Sequence, residues 1–127
     1  MHNNDTLLHL NGESVFVDDG MEPKGTLYGT IIYSSIASGK IVSIDFTDVL
    51  NSQGVVKVIT WEDIPGENQI GSIIKDEPLF AKDEVHYIGQ PIALIVSKTK
   101  FSGVIARKKA KIEYNEEKPV IDAREAY

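Results

Sequence analysis

The stretch from Asp83 to Ser97, DEVHYIGQPIALIVS, constrains the fold of this chain more than any other part of its sequence. Its second half, Ile92–Val96, is uninterrupted by polar residues and rich in branched side chains. A short apolar run between turn residues is typical of a strand that is buried on both faces. Gly89 suits a turn conformation that side chains disfavour, and Pro91 can begin a strand but not interrupt one. The sequence therefore predicts a tight turn followed by a central buried strand.

Composition narrows the class of protein. The chain has 127 residues, no cysteine and a formal net charge of -6. This length suits one domain, and a chain of this size buries about two-thirds of its unfolded surface without disulfides. The missing cysteines exclude disulfides, iron–sulfur ligation, thiolate zinc sites and a cysteine nucleophile in this chain. The acid excess argues against a nucleic-acid partner, which requires clustered Lys and Arg.

Two further absences bear on location. No apolar run approaches 18 residues, so we predict no membrane span. The first ten residues, MHNNDTLLHL, lack a basic region followed by a long apolar region, so we predict no signal peptide. The expected location is the cytoplasm.

Periodicity predicts a chain of strands with one main helix. Strands are predicted over residues 12–19, 26–34, 41–46, 55–60 and 110–114, in addition to the central strand. In residues 41–46 apolar and polar side chains alternate strictly, which predicts a strand with one buried face and one solvent-exposed face. Residues 1–11 are predicted to be a lead-in, either disordered or partly ordered by its leucines, and residues 12–127 the domain.

The main helix is predicted over Thr99–Lys109, with Thr99 as its cap. Phe101, Val104 and Ile105 fall at helical spacing and give it an apolar stripe. Gly103 lowers helix stability by about 1 kcal/mol relative to Ala, which indicates close contact between helix and sheet there. A strand on either side of one helix is typical of a β–α–β crossover, so these two strands are predicted to be parallel.

Shorter elements are predicted from capping residues. Thr47 is the expected N-cap of a helix of little more than one turn, and Thr60 to Asp63 has the character of a capping box. A short helix is predicted from Asp122 to Tyr127. The long, poorly patterned segment Glu67–Lys82 is predicted to be a loop. Its four large apolar residues have no obvious partner in so small a core, which predicts an inter-domain surface: Ile70, Ile73, Ile74 and Leu79.

No arrangement of reactive residues predicts catalysis. Ser38-Gly39-Lys40 lacks the earlier glycine and the following Ser or Thr of a phosphate loop. His2, His9 and His86 have no spacing that supplies three or four metal ligands. The adjacent acids at 18–19 and 116–117 are expected to be exposed, whereas acid–base pairs need one buried member. We therefore assign no catalytic, cofactor-binding or metal-binding residue.

Gln90 is the polar residue of most interest. An amide beside a turn at a buried strand can tie two backbone segments together, or it can face a ligand. Most buried side-chain amides bond to the backbone, which favours the structural tie. Taken alone, the residues predict an α+β domain without a visible active site.

Several short motifs together resemble one family. The first, Gly12 to Asp19 (GESVFVDD), is similar to that family's Gly-Glu-Ala-x-Tyr-x-Asp-Asp. The others follow in the family's order: 34–41 (SSIASGKI), 44–45, 54–55, 63–68 (DIPGEN) with Gly71, Glu77 with 80–85 (FAKDEV), 89–92 (GQPI), 111–114 (KIEY), 119–121 (PVI) and 125–126. The chain thus resembles the α/β-hammerhead domain of the xanthine dehydrogenase and aldehyde oxidase family, which lies at the N-terminus of the molybdopterin-binding subunit.

This resemblance implies an α+β hammerhead fold, a mixed β-sheet with one main covering helix and one or two short helices. It marks five positions as family motif positions of structural role: Gly12, Asp19, Gly89, Gln90 and Pro119. Enzymes of the family hydroxylate purines, other heterocycles or aldehydes at a molybdenum centre bound to molybdopterin, and pass electrons through iron–sulfur clusters, often to FAD. The cofactor segments and the catalytic glutamate lie downstream of this domain, so no cofactor is expected on this chain.

Three departures from the family pattern stand out. Ser38 occupies a position where the family often has His. The turn at 115–118 is one residue longer than usual before Pro119, and residues 103–105 replace a helix segment richer in alanine.

The resemblance predicts a structural domain that packs against the remaining domains or subunits of a molybdenum hydroxylase, with no nucleic acid and no membrane as partner. Only the parent oxidoreductase, not this chain alone, is expected to be catalytic. The alternative is a complete small interaction or ligand-binding module that reuses the fold. A stand-alone enzyme is the least favoured, because no nucleophile–base pair or metal set is visible.

Overall fold

The computed structural model of the chain describes residues 4–126. It contains three helices: α1 (Asn4–Asn11), α2 (Thr47–Leu50) and α3 (Lys100–Arg107). Its six strands are β1 (Tyr28–Tyr33), β2 (Gly39–Asp45), β3 (Val55–Ile59), β4 (Glu84–Val85), β5 (Pro91–Ser97) and β6 (Lys111–Glu116). Single 3-10 turns occupy Val17–Asp19 and Trp61–Asp63. Within 4–126 no helix has the length and apolar character needed to cross a membrane.

The strands form two three-stranded sheets, ordered β1-β5-β3 and β4-β2-β6, and every pairing is antiparallel. The predicted α+β class with one main helix is confirmed. The predicted parallel pairing of the strands that flank the helix is wrong. Both edges of β5 are already occupied, by β1 and β3, so β6 pairs with β2 in the second sheet.

The predicted central strand is confirmed as β5. Ala93 and Ile95 are fully buried and pack with Ala106 of α3 in the larger of two core clusters. The expectation that both faces of this strand are buried is only partly met, because Leu94 and Val96 on the opposite face are half-buried. Helix α3 covers one face of the first sheet, whereas the other face has less cover.

The second core cluster joins the two sheets. It is built on Ala81, Val85 and Ile92, each of which is 1% exposed. Ile112 of β6 packs against both clusters. One side chain thus connects the core beneath the first sheet with that of the second.

Strand β2 departs from the predicted alternation because it contains a β-bulge. Ile41 pairs with Tyr114 and Ser43 with the adjacent Glu113, so one extra residue lies on β2. The extra residue, Val42, is 64% exposed, while Ile41 and Ile44 both pack against the second cluster. Ile41 and Ile44 were predicted to lie on opposite faces of the strand. Because of the bulge, both side chains point toward the same core.

Helix α3 is capped as predicted, since Thr99 Oγ1 accepts a hydrogen bond from the Ser102 N–H at 3.1 Å. The close contact predicted at Gly103 is also confirmed: an added Cβ would lie 2.3 Å from Thr30 Oγ1. Because α3 approaches the sheet so closely, it buries its small residues, Gly103 and Ala106. The predicted apolar stripe is wrong as a core face, and Phe101 in it is 73% exposed.

Two other predictions are corrected. Residues 12–19 form no strand, and Val15, Phe16 and Val17 are exposed. These residues alternate as in a strand, but none of the described strands pairs with them. Thr47 is the first residue of α2 rather than its cap, because the Asp45 carboxylate accepts the Thr47 N–H at 2.8 Å.

The two ends of the chain also differ from expectation. Helix α1 covers 4–11, although the low apolar pattern of the lead-in gave no sign of a helix. Its residues from Asp5 onward are exposed. In place of the predicted C-terminal helix, Asp122 O accepts N–H groups from Glu125 and Ala126 in a single turn. His2 and Tyr127 lie outside the described residues, and the division between lead-in and domain stays a prediction.

Candidate functional site

A tight turn precedes β5, and Gly89 is its left-handed residue, with φ of 91°. The turn closes through a hydrogen bond from the Gln90 N–H to Tyr87 O at 3.2 Å. It is joined to the end of β1 by two backbone bonds, from the Gly89 N–H to Ser34 O and from the Ser34 N–H to Gln90 O, at 2.9 and 2.8 Å. A side chain at position 89 would disfavour this φ, which explains the glycine.

The Gln90 side chain lies inside the protein, with 1% of its surface exposed. Its Oε1 accepts a hydrogen bond from the His86 N–H at 2.7 Å. The amide therefore spans the turn that follows β4 and holds it against the start of β5. This geometry corresponds to the structural tie rather than to a group that faces a ligand.

The remaining motif positions do not converge with Gln90 on one site. Gly12, with φ of 72°, follows the end of α1, and Asp19 accepts the Phe16 N–H at 2.9 Å within the N-terminal 3-10 turn. Pro119 lies in a groove of about 580 Å³ with Ser38 and His86. The structural roles assigned to these positions stay predictions.

The loop 67–82 is anchored firmly at its base. The Asn68 side chain bonds to both backbone groups of Phe80, accepting its N–H at 2.9 Å and donating to its carbonyl at 2.7 Å. Phe80 and Ala81 are buried, and the Ala81 N–H donates to Pro91 O at 2.8 Å. The base of the loop is therefore part of the second core cluster.

The far end of this loop is apolar and exposed. We call its residues Ile70, Ile73 and Ile74 the loop tip; Leu79, also predicted for this surface, is 37% exposed and lies at the base, where its N–H donates to Asn68 O at 3.4 Å. Ile73 is 93% exposed and Ile74 is 69% exposed. The tip keeps a defined shape, because the Ile70 N–H donates to Glu77 O at 2.9 Å and a Cβ on Gly71 would lie 1.9 Å from the Ile74 carbonyl. A shaped, exposed apolar surface on an anchored loop is typical of an interaction site.

The pKa values of two carboxylates are shifted by hydrogen bonds and charges within the fold. The pKa of Asp63 is lowered by the Lys57 ammonium, which lies 2.5 Å from its carboxylate, and by the Thr60 N–H. The bond from the Thr60 N–H to Asp63 measures 2.9 Å and confirms the predicted capping box. Hydrogen bonds from Thr47 are the main cause that lowers the pKa of Asp45.

The described residues do not fit a metal or metal-cofactor site. Residues 4–126 contain no group of three or more His, Cys, Asp or Glu side chains that could hold a metal ion. His86 lies 3.5 Å from Glu84, but both side chains are more than half exposed. We therefore derive no reaction step on this chain.

Sequence reasoning missed the apolar outer face of α3, which consists of Phe101, Val104 and Ile105. The signal was present: two small residues, Gly103 and Ala106, are spaced three apart and mark the side of the helix that approaches the sheet. The large apolar residues then have to lie on the other side.

The chain matches a family model for "Aldehyde oxidase and xanthine dehydrogenase, a/b hammerhead domain" over residues 11–118. It is 34% identical over 120 residues to a xanthine dehydrogenase of Oryza sativa subsp. japonica, covering 94% of the chain and 9% of that protein. It is 42% identical over 115 residues to aldehyde oxidase 2 of Rattus norvegicus, covering 91% of the chain and 8% of that protein.

A solved structure with a similar fold is the aldehyde oxidoreductase from Desulfovibrio desulfuricans. The TM-score is 0.87 at 21% identity, over 96% of this chain and 15% of that chain. This likeness confirms the predicted hammerhead fold. The matching region is thus a small part of a much longer protein in these relatives.

Proposed function

The chain belongs to the aldehyde oxidase and xanthine dehydrogenase family as its hammerhead domain, and we propose that it is a structural domain of a larger molybdenum hydroxylase. The chain spans only 8% to 9% of the curated relatives it matches. Its role would be to support the domains that carry the chemistry. The complete enzyme would oxidise purines, other heterocycles or aldehydes in the cytoplasm, using molybdopterin-bound molybdenum and iron–sulfur clusters held elsewhere and, as often in the family, FAD.

The observation that carries this proposal is the loop tip. A large apolar side chain such as Ile73, at 93% exposure, gains free energy when a partner covers it, about 1.5–3 kcal/mol for complete burial. The Asn68–Phe80 bonds hold the loop in place before any partner arrives, which reduces the ordering cost of binding. The remaining domains or subunits of the enzyme are the partner that the family match supports.

Calorimetric titration of the chain with molybdopterin, and separately with xanthine, tests the supporting role. We expect no heat of binding from either compound. A micromolar affinity for either one would contradict the proposal, and would favour the alternative of a ligand-binding module.

A further inference from the structure

The basic residues of this acidic chain are concentrated around α3. Six of the thirteen Lys and Arg residues lie between positions 98 and 111, whereas none of the nineteen Asp and Glu residues does. Two of the six are paired: Lys100 lies 3.6 Å from Glu22, and Lys111 lies 2.7 Å from Asp48. The other four make no ion pair with any residue in 4–126 and are exposed: Lys98, Arg107, Lys108 and Lys109.

Two of these cations, Lys98 and Lys109, border an apolar surface, whereas Arg107 lines a separate groove with Ile32 and Tyr33. Phe101 is 73% exposed, and Val104 and Ile105 are 42% and 43% exposed. Phe101 and Ile105 line a groove of about 540 Å³ together with Lys98 and Lys109. The helix cannot rotate to bury this outer face, because Gly103 fits tightly against Thr30. Apolar side chains and unpaired cations therefore share one fixed surface.

We propose that the outer face of α3 and its unpaired cations form a second docking surface, and that its partner is an acidic segment with apolar side chains from another domain or subunit of the same enzyme. The argument is charge complementarity: an apolar centre surrounded by cations favours a partner with acidic residues around an apolar anchor. More than nine-tenths of the length of the matched relatives lies outside this region and can supply such a segment.

An anionic membrane fits the observations less well. A bilayer is wide and flat, and the rest of this chain carries nineteen Asp and Glu residues against seven Lys and Arg, a net negative charge that an anionic surface would repel. A local segment that enters the groove beside Phe101 meets the cations without approaching the acidic remainder.

This inference rests on the proposed function only in naming the source of the partner. Its test uses a synthetic peptide, so a negative result would overturn the docking surface without bearing on the proposed function. The probe is a fluorescent peptide of about twelve residues with alternating pairs of Leu and Glu, compared with one that carries Lys in place of Glu. Fluorescence anisotropy with the full chain should show salt-sensitive binding of the Glu peptide only. Replacing exposed residues, as in Phe101→Ser or Lys108→Glu with Lys109→Glu, should weaken binding about tenfold.

The matched controls are Ile88→Ser and Lys40→Glu, which change an equally exposed apolar residue and an exposed cation outside the α3 surface. Both should bind the Glu peptide as the unchanged chain does, and circular dichroism should show all variants folded. The proposal is overturned if the Glu peptide does not bind, or if both peptides bind equally. It is also overturned if vesicles with about one phosphatidylserine in four lipids bind more strongly than the peptide, or if the face instead pairs two copies of the chain.

Discussion

The buried side-chain oxygen of Gln90 accepts a hydrogen bond from the backbone N–H of His86 at 2.7 Å, across the turn between β4 and β5. The bond compensates for burying an amide that is 1% exposed. It also fixes the point at which β5, the centre of the first sheet, meets β4 of the second. The buried Gln90 side chain therefore helps to position the two sheets relative to each other.

Gln90→Leu should destabilise the chain by about 1–3 kcal/mol, because it removes the buried acceptor of the His86 N–H and leaves that part-buried N–H without a partner. Urea unfolding followed by circular dichroism measures the loss. Gln53→Leu is the matched control, since Gln53 is exposed, and it should change stability by less than about 0.5 kcal/mol. Equal stability of the two variants would contradict the structural tie.

Gly103→Ala tests the contact between α3 and the first sheet. Helix propensity alone favours Ala by about 1 kcal/mol, but the new Cβ would lie 2.3 Å from Thr30 Oγ1 and 2.9 Å from Ser97 Oγ. The steric clash should outweigh the gain in helix propensity and lower the free energy of unfolding by about 1–3 kcal/mol, measured by thermal or urea unfolding. Adding Thr30→Ala should recover part of this loss. A stabilising Gly103→Ala would show that helix and sheet are not in contact there.

Asn68→Ala tests the anchor of the loop. Removing both bonds to Phe80 should make opening of the loop easier by about 1–2 kcal/mol, which corresponds to roughly five- to thirtyfold faster tryptic cleavage after Lys75. Gln69→Ala, an exposed neighbour, should leave the cleavage rate unchanged. If both variants are cleaved alike, the loop is not held by Asn68.

The pKa shifts predict a loss of stability in acid. The pKa of Asp63 is lowered by Lys57 and Thr60, so its stabilising contribution is present above the unfolded pKa, about 3.9, and is lost as the pH falls through the lower folded value. Asp63→Asn should therefore lower the urea midpoint near neutral pH, and the difference from the unchanged chain should shrink in strong acid. Asp76→Asn, an exposed acid without an ion pair to any residue in 4–126, should show no such dependence. A difference that stays constant with pH would contradict this assignment.

The sequence predicted those elements whose signal is local. The turn at Gly89, the strand after it, the cap at Thr99 and the loop 67–82 all depend on neighbouring residues and appear where expected. What it did not predict depends on packing between distant segments. The bulge at Val42 becomes visible only when β2 is paired with β6. That the large apolar residues of α3 face outward becomes visible only when Gly103 is placed against Thr30.

The candidate site was predicted in part. The exposed apolar residues of the loop tip were expected from their lack of a core partner, and Ile73 and Ile74 are exposed. The outer face of α3 was misassigned to the core, because helical spacing of large apolar residues is usual for a buried stripe. In this helix the small residues determine which side approaches the sheet.

The most direct test of a structural, docking role is to co-express the chain with a polypeptide that carries the remaining domains of the molybdenum hydroxylase, and to measure the mass of the purified product. We expect a one-to-one complex that contains the molybdenum enzyme. Its yield should fall about tenfold with Ile73→Asp and Ile74→Asp together, because charges are placed at the centre of an apolar interface. Ile121→Asp, which is equally exposed but outside the loop, should leave the yield unchanged. Recovery of the chain as a free monomer that oxidises xanthine or an aldehyde unaided would contradict the proposal.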